Sequence, residues 1–283
     1  MFNFIKMDFY RMTKNRMFWV CLLATIVIMF SSVLLTKSDI NYYEQNPKLL
    51  EAVEEQMSGT EDWGVYIGST LPEWCKGERV ATDILIVNNI QSKLLLIFLV
   101  VFLVGYITAE TKSGFLQHIA TTKENRRKIM LSSMIMALIF TVLQFICAVA
   151  SIVITSNFAF GYLNIINFDK LIAFLVMEIL LQVSFASFIL MLIIVTRNRI
   201  VSVVIGLLSS AGLLQVIDPL VQTIISRTRD FSIMPYSIVG NIGTVSINST
   251  TEVFIRAIVI MLMSLCIYLL ISVYWFEKKD IET

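Results

Sequence analysis

The sequence is poor in the residues that most hydrolytic sites and long linkers require. Among 283 residues it has one histidine, four prolines and eleven glycines, and only 15% of its residues are charged. A single histidine excludes a Ser–His pair or a two-histidine zinc site within one chain. The scarcity of proline and glycine argues against long disordered linkers and low-complexity tracts.

Motifs for nucleotide and hydrolase chemistry are also absent. There is no GxxxxGK[ST] phosphate loop, no Rossmann glycine pattern, no GxSxG elbow and no HExxH. The four cysteines form no CxxC or Cys/His spacing, and Cys21, Cys147 and Cys266 lie inside apolar runs. We therefore expect no enzymatic activity, cofactor, metal or nucleic-acid binding in this polypeptide.

Long apolar runs are what the chain does contain. It is 57% apolar with a mean hydropathy of +0.79, whereas soluble domains are about 45–50% apolar. A helix needs about 20 apolar residues to cross a bilayer core. The sequence thus predicts an all-α membrane protein, a single domain over 1–283 with six transmembrane helices. We place the helices at 17–36, 93–109, 129–155, 171–196, 200–225 and 253–276.

Lysine and arginine indicate the orientation. The flanks 1–16, 110–128, 197–199 and 277–283 carry 13 of these residues in 45 positions, and the opposite flanks carry eight in a longer stretch. The positive-inside rule therefore predicts that both termini are cytoplasmic. The first apolar run exceeds the about 7–15 residues of a cleaved signal peptide, so we expect a retained anchor.

The segments outside the spans have patterns of their own. In 1–16, Phe2, Ile5, Phe9 and Met12 recur at helical spacing. They predict an amphipathic elbow helix on the inner membrane surface, with an ordinary basic tail as the alternative. The outer loop 37–92 holds ten acidic and four basic residues. It is either a small solvated cap or an acidic surface that attracts cations.

A second outer segment, 226–252, follows the fifth span. Asp218-Pro219 is predicted to interrupt the end of that span. Within the segment, Pro235, Gly240 and Gly243 disfavour a continuous helix. Its moderate hydrophobicity predicts that it partly re-enters the outer membrane. Irregular backbone at that depth requires contact with protein or a watery cavity.

Polar residues within the spans are few. Glu178 and Gln182 lie one turn apart in the fourth span, and Arg256 lies in the same outer half of the sixth. Because a carboxylate in a span is expensive, Glu178 is a functional candidate. Three alternatives are open: an ion pair with Arg256, a role in a substrate path, or a protonated and inert carboxyl group.

The cytoplasmic segment between spans two and three reads AETKSGFLQHIATTKENRRKIM over 109–130. Phe115, Leu116 and Ile119 predict a short helix after Gly114. The sequence from Thr121 to Glu124 then matches a capping box, which predicts a restart into the third span.

With the elbow helix and the six spans, this segment resembles the first cytoplasmic loop of a permease of the type-2 ATP-binding-cassette exporters. The most specific part is Glu110…Gly114-Phe115…Asn125-Arg126. In that family the loop is a coupling helix that docks into a separate ATPase subunit. The resemblance implies that 110–125 docks there. The residues facing or supporting the partner would be Glu110, Gly114, Phe115, His118, Ile119 and Arg126.

The resemblance also implies the remaining parts of the system. Two permease chains, in a homodimer, would pair with two ATPase chains that bind and hydrolyse Mg-ATP in a bacterial cell membrane. The implied substrate is an amphipathic or antimicrobial peptide moved out of the cell or membrane. The alternatives are a membrane sensor or assembly subunit that uses loop 37–92, and a permease that extrudes sodium or small drugs.

Overall fold

The computed structural model describes residues 2–47, 49–50, 65–68, 70–112, 123–225 and 232–278, and the regular structure in these ranges is helical. A 3-10 turn at Met234–Tyr236 accompanies the α-helices. In chain order these are α1 (Phe2–Lys14), α2 (Arg16–Gln45), α3 (Pro72–Cys75), α4 (Thr82–Gln91), α5 (Leu94–Lys112), α6 (Lys123–Phe160), α7 (Phe168–Thr196), α8 (Arg199–Ser210), α9 (Leu213–Ile225), α10 (Ile238–Thr244) and α11 (Thr251–Lys278). For the described residues, the predicted all-α class is confirmed.

Several helices are long and apolar enough to cross a membrane. In the described ranges, α2, α6, α7 and α11 meet this criterion individually. Helices α4 and α5 meet it together, as a pair bent by 47° at Ser92-Lys93, where Lys93 has a left-handed φ of 62°. The chain is therefore a multi-pass membrane protein with four or five candidate spans. A sixth crossing stays a prediction.

The predicted fifth span, 200–225, is not one helix. Helices α8 and α9 are separated at Gly212, whose φ of 102° lies in the left-handed region that favours glycine. Pro219, expected to interrupt the span, lies inside α9. The neighbouring Asp218 carboxylate instead accepts hydrogen bonds from the Ile233 amide at 2.6 Å and the Ser232 hydroxyl at 2.8 Å. The break thus lies earlier than predicted, and Asp218 anchors the outer segment.

The predicted outer loop 37–92 is partly helical. Helix α2 continues through Gln45. The predicted span ends earlier, at residue 36, because hydropathy does not distinguish a polar helix beyond the bilayer from a loop. Asp83, counted as part of an acidic surface, is buried in α4 and accepts hydrogen bonds from the amides of Ile166 (3.3 Å) and Asn167 (3.1 Å). This residue therefore joins α4 to the segment before α7, and its carboxylate is not part of an exposed acidic surface.

Aromatic stacking and a few polar contacts hold the spans together. The rings of Phe102 in α5 and Phe140 in α6 stack at 3.9 Å, and Phe18 in α2 lies edge-on to both. The buried Gln144 amide in α6 donates to the Leu95 carbonyl at 3.0 Å. Without a hydrophobic driving force between helices in lipid, such packing and hydrogen bonding stabilise the bundle.

The N-terminal helix α1 is separate from the first span and packs against α6. Its inward face includes Met12, which is fully buried, and Asp8, whose backbone carbonyl accepts a hydrogen bond from the Tyr106 hydroxyl at 3.3 Å. Phe2 and Phe9 remain exposed. The predicted apolar stripe is thus divided between the protein and the outside. That α1 lies on the inner membrane surface stays a prediction.

The position of Asp8 makes the docking of α1 sensitive to pH. Burial raises the pKa of the Asp8 carboxyl above its usual value, against the opposing effects of the adjacent Ser132 hydroxyl and the Arg11 guanidinium. The docked state therefore binds a proton more tightly than the undocked state. Docking is strongest below about pH 4, the ordinary pKa of Asp, and weakens as the pH rises through the raised pKa.

We expect Asp8→Asn to make the protection of α1 amides independent of pH and higher at neutral pH than in the native chain. Hydrogen–deuterium exchange at several pH values, corrected for intrinsic exchange, measures this. Asp169→Asn alters an exposed carboxylate at the start of α7 and serves as the control. Weaker protection in Asp8→Asn at neutral pH would show that the ionised carboxylate stabilises docking.

Candidate functional site

Two polar side chains in the middle of α7 lack hydrogen-bond partners among the residues that the structure describes. Glu178 and Gln182, one turn apart on the same face, are both fully buried. Among the described residues, no group bonds to the two carboxylate oxygens of Glu178 or to the amide oxygen and nitrogen of Gln182. Buried polar groups without partners are expensive, and in spans they mark substrate or ion paths by default.

The serines of the same helix behave differently. The Ser184 hydroxyl lies 2.7 Å from the Ser264 hydroxyl and donates to the Met261 carbonyl at 3.2 Å, so it ties α7 to α11. The Ser187 hydroxyl donates to the Ser184 carbonyl at 2.6 Å. These hydroxyls have structural partners, which distinguishes them from Glu178 and Gln182.

Of the three alternatives for Glu178, the ion pair with Arg256 is not formed among the described residues. Within the described ranges the Glu178 carboxylate has no partner, and the buried Nε of Arg256 has none either. The two residues lie at nearly the same depth in the bundle. The hydrogen bond from Ser184 to Met261 aligns α7 with α11, and Glu178 precedes Ser184 by six residues while Arg256 precedes Met261 by five. The direction differs, because six residues rotate Glu178 by roughly 120° from the side of α7 that faces α11.

Glu178 and Gln182 share one side of α7 with Ile189, which meets α5 and α8 further along the helix. Ile189 lies on this side, because it is within roughly 20° of both residues around the helix axis. A Cβ at Gly206 in α8 would be 3.0 Å from the Ile189 Cδ1 and 2.8 Å from a methyl carbon of Val100 in α5. The three helices therefore meet closely at Ile189, roughly 16 Å along the axis of α7 from Glu178.

Known proteins add no role for these residues. No protein-family model and no curated protein matches this chain. Within the described residues, no group of three or more His, Cys, Asp or Glu side chains could hold a metal ion. The chemistry on this side of α7 is therefore that of one carboxyl group and one amide in an apolar interior.

The predicted ATPase-coupling residues fall mostly beyond what the structure describes. Gly114, Phe115, His118 and Ile119 lie outside the described residues, as do Thr121 and Thr122 of the capping box, and of Glu110 only its place in the last turn of α5 is described.

Arg126 is described, and it lies in the first turn of α6. There its guanidinium donates to the Phe276 carbonyl of α11 at 3.1 Å. A cation at a helix C-terminus also complements the helix dipole. Arg126 thus joins the start of α6 to the end of α11, and its contact with a partner stays a prediction.

A further buried group, Lys93, was not among the sequence candidates. It is 1% exposed at the bend between α4 and α5, and a Cβ at Gly243 in α10 would lie 3.2 Å from its Cε. A lysine within an otherwise apolar stretch was the signal available in the sequence. Hydropathy instead places a helix end at this position, so Lys93 is one of the eight basic residues assigned to the flanks opposite the termini. Its contact with α10 links the bend to the outer segment 232–250.

Proposed function

We propose that this chain is the membrane subunit of an ATP-driven exporter of the type-2 ATP-binding-cassette class, with segment 110–125 as the docking site for a separate ATPase. The supporting observation is the length of α6, which has 38 residues from Lys123 to Phe160. This corresponds to about 57 Å of continuous helix, nearly twice the about 30 Å hydrocarbon core. A force applied at the cytoplasmic end of α6 therefore acts on a rigid element that reaches the outer side.

Contacts within the bundle connect this helix to the candidate site on α7. The Arg126 guanidinium joins α6 to the end of α11, and the hydroxyls of Ser184 and Ser264 join α11 to α7. A displacement of segment 110–125 would thus move α6 and α11 together and carry α7 with them. In this proposal nucleotide binding by the ATPase biases two arrangements of the bundle, which requires different contacts in each.

Glu178 and Gln182 are the proposed polar part of the substrate path. In one arrangement they are enclosed, and in the other they are open to the substrate, whose polar groups supply the missing partners. An amphipathic peptide fits this role because its amides and cationic side chains bond to a carboxylate and an amide while its apolar side chains contact the spans. Two copies of the chain would form the path in a bacterial cell membrane, with both termini cytoplasmic.

The docking assignment is tested first by whether a neighbouring gene encodes an ATPase with Walker motifs, and then by co-purification of the chain with that ATPase. We expect Glu110→Lys, combined with replacement of Gly114–Ile119 by a Gly/Ser linker, to abolish recovery of the ATPase with the full chain in nanodiscs. The control is Arg199→Glu, which changes charge at the other cytoplasmic turn, between α7 and α8. Recovery of the ATPase with the first variant, at the level of the native chain, would show that 110–125 is not the docking site.

A further inference from the structure

A basic cavity lies where the N-terminal helix joins the bundle. It has a volume of about 470 Å³ and opens between the end of α1, the start of α2 and the last turns of α5. Three basic side chains, Arg11, Lys14 and Arg16, and two tyrosines, Tyr10 and Tyr106, line it. The cavity therefore lies beside the first residues of one candidate span, α2, and the last residues of another, α5.

The charge of the cavity is positive among the described residues. Asp8 is buried, is not part of the cavity lining and forms an ion pair with Arg11 at 3.8 Å. Lys14 and Arg16 have no acidic partner in the described ranges, and both are exposed. Lys14 is held toward the cavity rim by its contact with the Tyr10 ring, with 5.8 Å from Nζ to the centroid. Two cations are thus available to an incoming anion.

The level of the cavity relative to the bilayer is indicated by Trp19. This side chain is 59% exposed in the first turn of α2, and its indole N–H donates to the Thr13 carbonyl of α1 at 2.8 Å. Exposed tryptophans with one satisfied polar end are characteristic of the interface between lipid tails and headgroups. The cavity therefore lies at the level of phospholipid phosphates.

We propose that this cavity binds a phosphate group, carried either by an anionic phospholipid headgroup or by a free anion. Guanidinium groups bind phosphate through paired hydrogen bonds, and ammonium groups supply a point charge. Basic pockets between spans on the cytoplasmic side are a recurring form of lipid recognition. Occupancy fixes α1 against α2 and α5, because the ligand bridges residues of separate helices.

The test is a native mass-spectrometry titration of the full chain in detergent, with phosphatidylglycerol and with phosphatidylcholine of the same chain length. The variant Lys14→Gln/Arg16→Gln removes the two cations that have no acidic partner. We expect its affinity for phosphatidylglycerol to fall roughly 30-fold, the effect of two basic residues near a membrane surface. The charge-matched control Lys6→Gln/Arg199→Gln removes two exposed cations outside the cavity and should change the affinity by less than about twofold.

Competition with inorganic phosphate distinguishes the two sources. Phosphatidylglycerol binding that depends on Lys14 and Arg16 and resists millimolar phosphate assigns the site to a lipid headgroup. Displacement by phosphate, with the same dependence on the two residues, assigns it to a free anion. Equal weakening by both double variants would mean diffuse surface charge and overturn the proposal, as would no weakening by either. Circular dichroism and gel filtration confirm that each variant is folded.

Discussion

Replacing Glu178 by leucine is expected to raise the stability of the protein and to abolish export. The carboxylate is fully buried with no hydrogen-bond partner in the described residues, so the folded state carries its full desolvation penalty. An apolar side chain of similar size removes a penalty of about 1–3 kcal/mol. Thermal unfolding in detergent should show a higher midpoint. In the proposed complex with an ATPase, substrate-stimulated ATPase activity should fall at least about tenfold, equivalent to the loss of one charge-assisted hydrogen bond to the substrate.

Gln144→Leu in α6 provides the matched control. Gln144 is equally buried, but its amide nitrogen donates to the Leu95 carbonyl, and only its amide oxygen has no partner among the described residues. The loss of that bond, about 0.6 kcal/mol for hydrogen bonds between spans, is offset by removal of the unpartnered oxygen, so the unfolding midpoint should change little. A lower midpoint for Glu178→Leu would mean that the carboxylate is bonded in the folded protein. Full export by a stable Glu178→Leu variant would exclude the carboxylate from the substrate path.

Helix positions were predictable wherever hydropathy alone decides them. The span predicted at 171–196 corresponds to α7, Phe168–Thr196. The two agree because this stretch is almost continuously apolar, and its few polar residues are isolated. The turn after it was also predictable, and the Asn198 side chain caps α8 by accepting from the amides of Ile200 and Val201. By contrast, the break at Gly212 depends on a backbone dihedral angle that an apolar run does not specify.

Side-chain partners were less predictable than depth. Counting residues along the two spans predicts that Glu178 and Arg256 lie at a similar depth. The alignment of α7 and α11 by the Ser184 hydrogen bond agrees with this prediction. The direction in which Glu178 faces depends on which neighbour α7 meets on each side, and this is decided by packing at places such as Gly206. The pairing of Asp83 with the amides before α7 is equally non-local. Local patterns contain no information about such contacts.

Gly240→Ala is expected to release the outer segment from the bundle. A Cβ at Gly240 would lie 2.0 Å from the Met234 carbonyl oxygen and 2.7 Å from the Ser237 hydroxyl oxygen. That hydroxyl caps α10 by accepting from the Gly240 amide, and the Asn241 side chain donates to the Pro235 carbonyl at 2.9 Å. Because the carbonyl belongs to a turn fixed by these bonds, the methyl group fits only if the turn unwinds. We expect a loss of about 3 kcal/mol or more.

Gly243→Ala, in the same short helix, separates this clash from a general effect of alanine. Its Cβ would lie 3.2 Å from the Lys93 Cε, so this buried side chain need shift by only a few tenths of an ångström to admit the methyl group. Alanine also favours helix by about 1 kcal/mol over glycine, so this variant should be neutral or slightly stabilised. Thermal unfolding and hydrogen exchange over residues 238–247 measure both variants. Equal protection in the two would show that the turn at Met234 yields easily. Loss of protection in Gly240→Ala alone would show that this turn holds α10 against α7, the helix with which α10 is in contact.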